Sequence, residues 1–99
     1  MIEQATEFMQ IVRNHYLDVE NLKIEQIVEL DKPIDYLIDK PHQAVKITFN
    51  SYCSLDTIKE SIADAIADTY GFRIAIIKNK ANIITQLLNN NNIECLLVF

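Results

Sequence analysis

Gly71 is the only glycine in this chain of 99 residues, and Pro33 and Pro41 are its only prolines. Glycine supplies the positive φ angles of tight turns and proline ends helices and strands, so a chain this poor in both has little material for irregular structure. Most of it must lie in helices and strands. Apolar residues make up 49% and charged residues 23%, enough to bury one core but, at this length, not two. The expectation is a single compact domain over residues 1–99.

Hydrophobic spacing divides the chain. From Ile2 to Leu17 the residues Ile2, Ala5, Met9, Val12 and Tyr16 recur at three and four, with Phe8 and Ile11 widening the stripe; this predicts an amphipathic helix. From Leu22 to Leu30 the period falls to two, with Leu22, Ile24, Val28 and Leu30 on one face and Lys23, Glu25 and Glu29 on the other. Val45 to Phe49 alternates in the same way, so the two read as antiparallel strands. Between them an insert carries Asp31-Lys32-Pro33 and Asp39-Lys40-Pro41 around Tyr36, Leu37 and Ile38.

Ser54 precedes a second helical stripe of Leu55, Ile58, Ile62, Ala65, Ile66 and Tyr70. Serine there can cap the first turn, and Gly71 is placed to end the helix in a left-handed conformation. Arg73–Ile77 and Ile93–Phe99 are nearly continuous apolar runs, as in strands covered on both faces. Between them Asn82 can cap a short helix bearing Ile83, Ile84, Leu87 and Leu88; a strand over Ile83–Leu88 is the alternative reading.

The order is therefore α-β-β-α-β-α-β, an α/β or α+β domain with a four-stranded sheet. Strand-helix-strand units usually join parallel strands, which predicts a mixed sheet whose last three strands are parallel. With sequential strand order, helices two and three would cover one face and the first helix the other. If the last strand is an edge, two copies could pair there as a homodimer.

Nine basic and fourteen acidic residues leave a net charge of −5. Such a field repels phosphate backbones, which disfavours direct nucleic-acid binding and favours a basic protein partner. The N-terminal residues lack the charged and apolar regions of an export signal, and no run is long enough for a membrane span. The expected location is the cytoplasm, where Cys53 and Cys95 would stay reduced.

There is no glycine-rich phosphate loop, no closely spaced Cys/His set and no serine elbow. No catalytic residue, metal or cofactor is assigned. His15 and His42 have no sequence neighbours that complete a constellation. Cys53, just before the second helix, is the one nucleophile candidate for a cysteine-dependent enzyme; the plainer reading is a small half-buried residue at a strand end. Cys95 reads as core.

Two surfaces stand out. On parallel strands, Ser51, Ser54, Lys78, Asn79, Lys80 and Asn82 would gather near two helix N-termini, where a small ligand or anion could bind in a regulatory domain. Asp56, Glu60, Asp64 and Asp68 fall at steps of four along the second helix, a repulsive stripe relieved only by Lys59. Together with Tyr36 and Leu37 it could dock a basic partner. The function best matched is a non-enzymatic interaction protein: an inhibitor, immunity or antitoxin-like protein, or a complex subunit.

Overall fold

A computed structural model describes residues 2–30, 42–69, 74–80 and 82–98. Seven elements follow in the expected order: α1 (Ile2–His15), β1 (Glu20–Leu30), β2 (His42–Ser51), α2 (Leu55–Ala67), β3 (Ile74–Asn79), α3 (Ile83–Leu87) and β4 (Asn91–Val98). The protein is an α+β domain with one four-stranded sheet. Tyr36 and Leu37 of the insert, and Gly71, lie outside the described residues.

The mixed sheet is not found. Strand order is β1-β2-β4-β3, and every neighbouring pair is antiparallel. β2 and β3 do run in the same direction, as expected for a helical crossover, but β4 lies between them. The reason is length. A parallel crossover must return the chain along a whole strand, about 20 Å for six residues, whereas the five residues of α3 span only about 7.5 Å. α2, with thirteen residues, can make that return; α3 can only turn the chain around. β4 is accordingly an interior strand, which removes it as a site of edge pairing, and β3 is an edge.

α1 and α2 pack on the same face of the sheet rather than on opposite faces. The choice follows from β2, where Val45, Ile47 and Phe49 point one way and Lys46, Thr48 and Asn50 the other. The apolar row of β2 is the floor on which both helices rest. Phe8, Met9 and Val12 from α1 and Ile58, Ile62 and Ala65 from α2 meet Ile47, Phe49, Ile93, Cys95 and Leu97 there, all nearly or completely buried. Ala44, Leu96 and Val98 form a smaller buried cluster on the other face.

The even alternation of the first strand is broken. Between Glu20 and Lys23, and again between Ile24 and Ile27, the register with β2 shifts. Asn21 adopts a positive φ of 53° at the first shift, a conformation asparagine tolerates better than most residues. Asn89, just after α3, also has a positive φ, of 52°. There the Asn90 N–H donates to the Thr85 carbonyl at 2.7 Å, a left-handed closure of the helix end in which asparagine replaces the usual glycine.

Candidate functional site

Between α1 and β1 the chain places Asp18 in a gap between two buried residues, Leu17 and Val19. Arg13 holds the same turn by donating from Nε and Nη2 to the Val19 carbonyl, at 3.2 and 3.0 Å. The Asp18 carboxylate is thereby aimed at the end of β2. Its Oδ1 accepts from Ser51 Oγ at 2.7 Å and from Cys53 Sγ at 3.2 Å, and its Oδ2 accepts from the Tyr52 N–H at 2.8 Å. Ser51, fully buried, also accepts from the Cys53 N–H at 3.2 Å.

Burial acts to raise the Asp18 pKa, but the hydrogen bonds from Tyr52, Ser51 and Cys53 outweigh it and hold the carboxyl below its ordinary value. The group is an anionic knot tying the α1–β1 turn to the start of α2. Sequence spacing gives little warning of it, because Asp18 lies 33 residues or more from its side-chain donors. The available hint is an acid set directly between two apolar residues where one element gives way to another.

This knot changes the standing of Cys53. Its partner is an anion, whereas nucleophilic thiolates sit beside cations or imidazoles. The thiol works as a hydrogen-bond donor, a role a hydroxyl can fill. Cys53→Ser should therefore keep the unfolding free energy within about 1 kcal/mol of the parent in a urea melt, with partner binding unchanged; a folded variant that no longer binds would restore a chemical role to the thiol. Cys95 is fully buried among apolar residues, and burial pushes its thiol up to about 12.

Several of the residues expected to form an anion site are engaged in bonds within the fold. Ser54 caps α2, accepting from the Thr57 N–H at 3.2 Å, and Ser51 is bound to Asp18. Lys80 forms an ion pair of 3.3 Å with Glu94. Asn82 caps α3 through reciprocal bonds with Thr85, at 3.0 Å to the Thr85 N–H and 2.8 Å from its own N–H. An open depression of about 430 Å³ does lie beside the start of α2, lined by Tyr52, Cys53, Ser54, Asn89 and Asn91. With the Asp18 carboxylate bonded to Cys53 next to it, this depression is poorly suited to an anion.

All four acids of the α2 stripe, Asp56, Glu60, Asp64 and Asp68, are exposed. They are not equivalent. The Tyr16 hydroxyl, at the end of α1, donates to Asp68, and that bond raises the Tyr16 pKa above its ordinary 10.0. Asp68 is thus engaged within the fold, leaving Asp56, Glu60 and Asp64 as the outward part of the stripe.

The largest surprise is α3. Its apolar residues do not pack on the sheet: Ile83, Ile84, Leu87 and Leu88 are between 63% and 79% exposed. A five-residue helix has almost no intrinsic stability. This one is held at both ends, by the Asn82–Thr85 exchange and by the closure at Asn89, while its aliphatic ridge stands in water. Asn89, which follows Leu88, shares the depression with Ser54, so the ridge lies near the N-terminal end of the acidic helix. Tyr52, 56% exposed, adds an aromatic ring at the same end.

Among the described residues no helix is long and apolar enough to cross a membrane, and no three His, Cys, Asp or Glu side chains are grouped so as to hold a metal ion. No family model, curated protein or solved structure matches the chain.

Proposed function

We propose that the protein is a protein–protein interaction module, which inserts the α3 ridge into an apolar groove on a partner while Asp56, Glu60 and Asp64 meet basic groups on the groove's rim. The observation that carries this reading is the exposure of Ile83, Ile84, Leu87 and Leu88 on a helix fixed by its caps. Docking would recover the apolar burial that folding leaves undone, about 1.5–3 kcal/mol for each large aliphatic side chain fully covered. A rigid ridge also loses little conformational entropy on binding.

The acids supply orientation and rate more than affinity. Reversing two of them in Glu60→Lys/Asp64→Lys, past the first turn of α2, should leave the melt of this exposed helix face nearly unchanged. Association with a partner captured by the parent chain should slow about tenfold or more and lose its salt dependence. Equal association rates for parent and variant at low salt would remove the stripe from the interface.

A further inference from the structure

The sheet has two edges, and they differ. β1 carries two register shifts, a positive φ at Asn21, and the exposed charges Glu20, Lys23 and Glu25. Bulges and charges of this kind protect an edge from pairing with another chain. β3 has no register shift, and its one charge, the exposed Lys78, lies near its end. Ile74–Asn79 pairs with β4 without interruption, its first four residues are all apolar, and among the described residues no strand covers its outer side.

The phase of the ladder identifies what that outer side offers. The Lys80 N–H donates to the Asn92 carbonyl at 2.6 Å, continuing the register in which Lys78 faces Glu94 and Ile76 faces Leu96. In an antiparallel pair alternate residues bond inward, so Ala75 and Ile77 turn their N–H and C=O groups to the open edge. These groups are self-complementary: antiparallel copies can pair Ala75 with the other copy's Ile77 twice about a two-fold axis.

The helix beside the edge fits the same arrangement. α2 packs against β3 and α1 against β1, and Asp68, bonded to Tyr16, marks the side of α2 facing α1. At 100° per residue Lys59 lies opposite Asp68, with Ala63 and Ile66 to either side. The flank toward the open edge thus carries Lys59 among small and apolar residues, with the exposed Asp56 about 60° from it. The last turn of α2 carries no basic residue, although its carbonyl end favours one. An antiparallel second copy brings Lys59 toward that turn.

We propose that two copies of the chain join through their β3 edges, forming a continuous eight-stranded antiparallel sheet with α2 facing α2 across the axis. The two α3 ridges then stand at opposite ends of the assembly, so the dimer leaves both ridges open to a partner.

Sedimentation equilibrium of the full chain should give the mass of two chains. Ala75→Pro, which removes an outward N–H and leaves the β4 ladder untouched, should give the mass of one. Lys59→Glu, on an exposed helix position, should weaken the dimer about tenfold because both symmetric contacts reverse. In the unmodified chain, amide exchange at Ala75 and Ile77 should slow as protein concentration rises. A single-chain mass at all concentrations, exchange at these amides that ignores concentration, or a dimer unaffected by a folded Ala75→Pro would each overturn the proposal.

Discussion

Phe49→Ala should lower the free energy of unfolding by about 3–5 kcal/mol, the range for deleting a fully buried aromatic side chain. Phe49 is 1% exposed on the central strand β2, facing the floor on which α1 and α2 both rest. Removing it opens a cavity beneath two helices at once, and neither can settle without losing its contact with the sheet. For a domain whose whole stability is of order 5–15 kcal/mol, a urea melt should show the midpoint falling by a large fraction. A shift below about 1 kcal/mol would mean that the helices do not share this face.

Asp18→Asn comes next, at about 1–3 kcal/mol near neutral pH. An asparagine has one acceptor oxygen where three donors converge, and its NH₂ group would confront one of them. The effect stays in this range because the carboxylate is only half-buried and water can replace part of what is lost. Its pH dependence has a definite sign. The folded pKa of Asp18 lies below the unfolded value of about 3.8, so the carboxylate contributes fully above that value and loses its contribution as pH falls through the folded one. Parent and variant melts should therefore differ most near pH 6–7 and converge below pH 3.8. A difference that persists unchanged into acid would show that the hydrogen bonds do not depend on the charge.

The seven elements were legible because their signals are local. Period 3.6 in Ala5, Met9 and Val12, period two in Val45, Ile47 and Phe49, and caps at Ser54 and Asn82 each act within a few residues. Strand order was not legible, since it depended on whether α3 could carry the chain back along a strand, and a helix of five residues cannot. The same shortness explains α3's exposed ridge. A stripe of Ile83, Ile84, Leu87 and Leu88 reads in sequence as a buried face, and only the geometry of a turn at the end of a hairpin leaves it outside. Asp18 was hidden for another reason: its donors are distant in sequence, and a lone acid near a helix end has many ordinary roles.

Loss of aliphatic surface from the α3 ridge should thus weaken binding and leave folding unchanged. In Ile84→Ser/Leu87→Ser both residues are exposed, at 67% and 79%, so the melt should stay within about 0.5 kcal/mol of the parent. The decisive measurement is the affinity of this variant, by calorimetry, for a partner captured with the parent chain. Docking of the α3 ridge predicts a loss of about a hundredfold or more, as for residues at the centre of an interface. An affinity equal to the parent's, in a variant with a parental melt, would contradict it.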